Sequence, residues 1–191
     1  MEDAGTDQLS RFLRKISSLT TEEMEELVSI TNSLTLPKGN FWIREGMRVD
    51  KVAFIEKGYL RKYYVKDGKE ITDEFYFEDS FSADIPSIVN GTNAIANFQA
   101  MEDTELLVFP FKSLEKLAER NHHIEHFVRL MIQQAFINFY NRTASFILNS
   151  PKERYHQLMN RHPEVLQRVT QYHIASYLGI TPQHLSRLRA R

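Results

Sequence analysis

The chain has 191 residues, no cysteine and a formal net charge of −1, with 42% hydrophobic and 26% charged residues. This is a globular composition, and the missing cysteines exclude disulfides, thiolate zinc sites and cysteine-ligated iron–sulfur clusters. No apolar run reaches bilayer length and the first fifteen residues lack a signal-peptide core, so a cytoplasmic location without a membrane partner is expected.

Charge is spread unevenly. Residues 150–191 hold seven Lys/Arg against two acids, a net of +5, so the first 149 residues carry −6. A basic terminal module on an acidic body is expected when only one part of a protein meets phosphate.

In chain order, residues 1–6 are polar and read as a frayed end. Residues 8–18 can form a helix with Leu9, Phe12, Leu13 and Ile16 on one face. Thr20 and Glu23 make a capping box for the next helix, Leu19 and Met24 stand at staple positions, and Met24, Leu27 and Val28 form its buried stripe. From Leu34 the pattern changes to short apolar and β-branched runs broken by turn residues. They cover residues 34–36, 41–43, 52–55, 59–65, 71–77, 97–101 and 105–109, with Gly39, Gly46, Gly58 and Asp67-Gly68 between the first five. Closely spaced short strands of this kind predict an antiparallel β-sandwich or roll. Residues 81–96 read as a loop with helix-tolerant composition, able to host a ligand.

Helix returns at residues 112–119 and again over about 121–148, the second roughly 42 Å long at 1.5 Å per residue. Its apolar residues occupy more than one face, so it must be buried on several sides, between the roll and a second subunit. The expected dimer interface comprises Ile124, Phe127, Val128, Met131, Ala135, Phe136 and Phe139. Ser150, Pro151 and Glu153 open a further helix with both a capping box and proline at its first position. Pro163 ends it, and a short linker follows.

The last stretch is the most informative. Thr170 can cap a short helix carrying Ile174, Ala175 and Leu178 inward, and Gly179 stops it. Thr181 is a new N-cap with Pro182 at the first helical position. Leu185 and Leu188 then face in, while Gln183, His184, Ser186, Arg187 and Arg189 face out. Two short helices around a tight glycine turn read as helix-turn-helix, whose second helix enters a major groove. The alternative is an ordinary αα-hairpin.

These features together resemble the Crp/Fnr superfamily of bacterial transcription regulators. In the roll the resemblance rests on Leu34-x-Leu36-x-x-Gly39, on Glu45-Gly46, and on the run Phe54-Ile55-Glu56-Lys57-Gly58-Tyr59-Leu60-Arg61. In the terminal module it rests on Ile174-Ala175-x-x-Leu178-Gly179-Ile180-Thr181-Pro182 and Leu185-Ser186-Arg187. It implies an α+β fold: N-terminal helices and an antiparallel β-roll of the cyclic-nucleotide-binding-like jelly-roll type, a long dimerisation helix, and a C-terminal helix-turn-helix. That last module is winged-helix-like with the wing short or absent. The expected domains are 1–120 (effector), 121–149 (dimerisation helix) and 150–191 (DNA-binding). The implied partners are double-stranded DNA at a near-palindromic operator, a second copy of the chain as homodimer, and RNA polymerase.

Carried over by position, Gln183, Ser186 and Arg187, with His184 beside them, face the bases, while Thr181, Arg189 and Arg191 meet phosphates. The family's effector pocket does not carry over. Cyclic-nucleotide-binding members hold the phosphate with an Arg-Ser/Thr-Ala run, and that slot here reads Ala94-Ile95-Ala96. The preceding Gly-Glu region reads Ser80-Phe81-Ser82-Ala83-Asp84. From residue 70 to 111 there are nine acids and no Lys or Arg, whereas phosphate sites are built from cations and helix N-termini. The expectation is a vestigial pocket at Asp84, Ala94, Ile95 and Ala96, and a regulator that does not respond to cyclic nucleotides. The other function class is an effector-sensing or scaffold dimer without DNA-binding activity.

No enzyme activity, metal or cofactor is expected. His122-His123-Ile124-Glu125-His126 has the H-x-x-E-H order of one zinc-peptidase class, but nothing nearby nominates a third ligand. All seven histidines lie outside residues 34–109, which removes a His-rich metal centre or a haem ligand from the roll. The run Phe75-Tyr76-Phe77 reads as alternating core and surface of one strand.

Overall fold

The computed structural model describes residues 4–189. Two helices, α1 (Ala4–Ile16) and α2 (Thr21–Ser29), precede the strands β1 (Asn32–Leu36), β2 (Phe41–Ile43), β3 (Lys51–Lys57), β4 (Leu60–Lys66), β5 (Lys69–Tyr76) and β6 (Phe81–Ser82). Helix α3 (Ile85–Asn90), β7 (Asn97–Ala100) and β8 (Thr104–Pro110) complete the roll. Then come α4 (Phe111–Arg120), α5 (His122–Leu148), α6 (Pro151–Arg161), α7 (Val165–Arg168), α8 (Gln171–Leu178) and α9 (Pro182–Arg189).

The strands form two four-stranded sheets, ordered β1-β8-β3-β6 and β2-β7-β4-β5. Strand β3 shows how the roll acquires two cores. Val52, Ala53, Phe54 and Ile55 are all buried, and the two-residue period sends them to opposite faces. Val52 and Phe54 join Leu9, Leu13, Leu27, Leu114, Ile124 and Phe127 beneath the helices. Ala53 and Ile55 meet Leu36, Leu60, Ala100 and Leu106 on the other side. A strand covered on both faces reads as a continuous apolar run, which is why 52–55 shows no alternation in sequence. On the helical side Phe81 gathers Phe54, Phe109 and Phe127 at ring-centroid distances of 5.2, 5.9 and 5.8 Å.

The predicted caps form as expected. Thr20 and Glu23 exchange both hydrogen bonds of a capping box at the start of α2, and Ser150 and Glu153 do the same for α6. Three boundaries differ from the sequence reading. Helix α1 begins by Ala4, so Ala4–Thr6 is helical rather than frayed, while Met1 lies outside the described residues. Strand β6 occupies two residues of the expected 81–96 loop, pairing Ala53 with Ser82 and Phe54 with Phe81. The linker after Pro163 contains the single-turn helix α7.

The chain packs as two units: Met1–Tyr63 with Phe75–Ile132, and Tyr64–Glu74 with Gln133–Arg191. The division therefore falls inside α5, not on either side of it, and it assigns the β4–β5 hairpin tip to the second unit. That tip turns at Asp67 and Gly68, both with positive φ (53° and 72°), as a two-residue type I′ turn requires.

Candidate nucleic-acid interface

The helix-turn-helix is built from local signals. The Thr170 hydroxyl accepts from the His173 N–H at 3.3 Å and caps α8. At the other end Gly179 takes φ +67°. Its N–H donates to Ser176 O at 3.1 Å and the Ile180 N–H to Ala175 O at 3.0 Å, the pair of bonds that closes a Schellman motif. A Cβ on Gly179 would stand 2.8 Å from Phe146 Cε1, so glycine is required by backbone and by space. Thr181 then caps α9 by accepting from the His184 N–H at 3.2 Å.

Ala175 and Leu185 are fully buried. On α9, Gln183, Ser186, Arg187 and Arg189 are exposed, His184 and Leu188 half-buried, and Thr181 exposed at the start. The structure thus brings together on one helix all the expected reading residues except Arg191, which lies outside the described residues.

Two arginines fix α8 from behind. Arg142 of α5 donates to the Tyr177 carbonyl and to Thr72 O, the latter at 3.4 Å. Arg154 of α6 donates Nε and Nη2 to Leu178 O at 3.1 and 2.9 Å, and Nη1 to Asn149 O at 2.7 Å. Both satisfy carbonyls that the end of a helix leaves open, where positive charge is also favoured. The guanidinium of Arg142 lies 3.7 Å over the Tyr177 ring and 4.4 Å over Phe146, and Arg154 lies 4.7 Å over Phe146. Burial pushes Arg142 down from its ordinary value, countered mainly by Tyr177 and Glu74. Burial and the Glu74 carboxylate raise the Tyr177 phenol to about 12.

The tip of the β4–β5 hairpin completes this cluster. The Thr72 N–H donates to Ser176 Oγ at 2.9 Å, and that hydroxyl donates to Glu70 O at 3.3 Å. Glu74 stands 4.0 Å from Arg161. None of these partners was named from sequence. Thr72 and Ser176 are 104 positions apart, and no periodicity links them.

In the roll, the run expected to form a vestigial slot has no cationic or hydroxyl side chain at 94–96. Ala94 and Ala96 are buried and Ile95 is 70% exposed, so the run offers no side-chain donor. The Ala94 backbone is occupied: its N–H donates to Met47 O at 2.8 Å and its carbonyl accepts from Gly46 at 2.7 Å. Asp84 is 7% exposed and accepts from the Ser87 hydroxyl at 3.0 Å. The run 94–96 contains no Arg, Ser or Thr side chain. One cation was missed by counting only residues 70–111. Arg48, bridged to Asn93, brings its Nη2 to 4.0 Å from where a Cβ on Gly91 would stand.

The remaining constellations resolve structurally. His123 Nδ1 meets Glu23 Oε1 at 2.9 Å, and Asn121 donates to the same oxygen at 2.8 Å, so the H-x-x-E-H turn docks on the α2 cap. Among the described residues no group of three or more His, Asp or Glu could hold a metal, and no helix is long and apolar enough to cross a membrane. Phe75 and Phe77 are buried and Tyr76 half-buried, the alternation expected.

The dimer expectation needs correcting. Ile124 and Phe127 are 0% and 1% exposed in the chain's own core, and Val128 and Met131 pack against it. These four belong to the intramolecular core, because the first half of α5 lies under the roll. Ala135 is half-buried. Phe136 and Phe139 remain 65% and 68% exposed, joined by Ile132, Tyr140 and Ile147.

Residues 33–121 match the cyclic nucleotide-binding domain family, and no curated protein sequence matches the chain. Solved structures do. FixK2 from Bradyrhizobium japonicum is similar with a TM-score of 0.72 at 16% identity, covering 84% of this chain and 83% of that one. The c-di-GMP-responsive global regulator CLP of Xanthomonas campestris gives 0.69 at 10% identity, over 86% and 87%. The Thermus thermophilus catabolite activator protein gives 0.58 at 18% identity, over 91% and 83%. Residues 33–121 are therefore similar to a cyclic nucleotide-binding domain, and the chain has a fold like that of the Crp/Fnr regulators.

Proposed function

We propose that this chain is a sequence-specific DNA-binding transcription regulator that acts as a homodimer and does not respond to cyclic nucleotides. The observation that carries the reading is α9. It is a capped helix behind a glycine turn, presenting Gln183, Ser186, Arg187 and Arg189 to solvent on a basic module. Arg187 suits a bidentate contact to guanine and Gln183 a pair with adenine, each discriminating by ~1–3 kcal/mol. His184 flanks them, and Thr181, Arg189 and Arg191 meet phosphates.

The second copy pairs along the exposed face of α5 formed by Ile132, Phe136, Phe139, Tyr140 and Ile147, which lie about one turn apart along one side. Two-fold pairing gives a near-palindromic operator with half-sites about 34 Å apart. The reading requires a cytoplasmic location, with RNA polymerase as the further partner, accessible to in vitro transcription from an operator-bearing template. The unsuited slot at Asp84, Ala94, Ile95 and Ala96 supports the absence of a cyclic-nucleotide response.

The test is selection of bound sequences from a random pool, with Arg187→Ala and Arg189→Ala run beside the parent. Arg187→Ala should relax the base preference in each half-site. Arg189→Ala should weaken all sequences alike and reduce the salt slope by about one. A parent that enriches no motif leaves a scaffold dimer as the function.

A further inference from the structure

The second unit contains a cleft of about 500 Å³ lined by α5 and α6, with Tyr177 of α8 also in its wall. That volume falls in the range of small-molecule sites, ~300–1,000 Å³. Its lining is unusual in charge. Arg142, Arg154 and Arg161 all contribute, several amides lie between them, and the lining includes no carboxylate.

Donor capacity remains there. Asn138 and Gln157 use only their carbonyl oxygens, accepting from Gln134 and Asn149 at 3.0 Å. Arg142 Nε has no hydrogen-bond partner among the described residues. Arg161 stands at the long distance of 4.0 Å from the Glu74 carboxylate. Guanidinium groups and amide N–H donors converging in a lining without a carboxylate are the chemistry that recognises an anion with several acceptor oxygens.

The cleft is also separate from both surfaces used above. Its α5 lining includes positions 134, 138, 141, 145 and 148. At 3.6 residues per turn these centre roughly 170° around the helix from the apolar face at 132, 136, 139, 140 and 147. A second α5 seated on the apolar face leaves the cleft open. None of its lining comes from α9, so it is not the base-reading surface.

We propose that this cleft binds a small polyanion, bearing phosphate or clustered carboxylates, as the effector site of the protein. The run 94–96 in the roll offers no cationic side chain, and the cleft has three. Arg161 sits between two claims, the ligand and Glu74 on the hairpin tip. Binding therefore draws Arg161 away from Glu74, and the hairpin contact that meets α8 through Thr72 is weakened in the same event.

The experiment is titration calorimetry on the full chain at low chloride without DNA, so that its failure is distinct from failure of the DNA-binding reading. Three probes separate the sources of the anion: inorganic pyrophosphate, adenosine 5′-monophosphate and citrate. At least one should bind with a dissociation constant below about 1 mM and one site per chain. Arg161→Gln should weaken that binding at least tenfold, and Glu74→Gln should tighten it by removing the internal competitor. Lys152→Gln removes the same charge from α6 outside the cleft and should change binding less than twofold. Far-UV circular dichroism confirms that each variant is folded. The proposal is overturned if none of the three probes binds below 1 mM, or if Arg161→Gln has no more effect than Lys152→Gln.

Discussion

Gly179 allows the geometry of the helix-turn-helix to be tested quantitatively. Gly179→Ala places a methyl group at φ +67°, a left-handed conformation costing an L-residue about 1–2 kcal/mol. It also drives that methyl to 2.8 Å from Phe146 Cε1. Phe146 cannot swing aside freely, because Arg142 and Arg154 lie over its ring. Overpacking of this kind costs ~1–3 kcal/mol, for a total of about 2–5 kcal/mol. Gly91→Ala is the matched control. Its φ is +65°, and the nearest atom to its Cβ is Arg48 Nη2 at 4.0 Å, so only the conformational cost applies. Urea unfolding followed by far-UV circular dichroism should show Gly179→Ala as the more damaging change. Adding Phe146→Leu should recover most of the excess, as a positive coupling in a double-mutant cycle. Equal costs for the two alanines, or no recovery with Phe146→Leu, would refute the reasoning.

Three further outcomes are expected. The raised Tyr177 value means that the folded state holds the phenol proton more tightly than the unfolded chain does. Its contribution is complete below pH 10 and is lost between about pH 10 and 12, a fall of about 2–3 kcal/mol that Tyr177→Phe should abolish in alkaline melting curves. Phe139→Asp should convert a dimer into a monomer in sedimentation at micromolar concentration, whereas a parent that is already monomeric removes the seam. Cyclic AMP and cyclic GMP at millimolar concentration should leave the unfolding of the roll unchanged, read by Trp42, the chain's one tryptophan; a shift of several degrees would show that the slot at 94–96 is misread.

What the sequence revealed was whatever is encoded locally. Thr20, Ser150, Thr170 and Thr181 announce their helices because a cap and its partner lie three residues apart. Asp67-Gly68 announces a hairpin because only such residues take the turn. Strand β6 and helix α7 are too short for any period to show, and both exist because neighbouring elements pair with them. The apolar excess of α5 was legible in the sequence. How it divides between the roll and an exposed face was not, because that depends on where α5 leaves the roll. Arg142, Arg154 and Arg161 are spaced without pattern, so their convergence on one cleft has no signature in the chain.

The docking of Thr72 on Ser176 has a consequence for how the protein can be made and taken apart. The unit that holds the helix-turn-helix is not a contiguous piece of chain. Residues 150–191 expressed alone would lack Thr72, Arg142 and Phe146, leaving the Tyr177 ring uncovered, its carbonyl without Arg142 and the Ser176 hydroxyl without Thr72. A chimera that grafts those residues onto another sensor at position 150 inherits the reading helix without its support. In synthesis, the hairpin emerges 104 positions before the residue that it holds. Closure of the module should therefore be the slow, late step of folding, since contacts so distant in sequence form last. A graft that keeps the hairpin and the second half of α5 should fold at the parent's rate, and one cut at 150 should not.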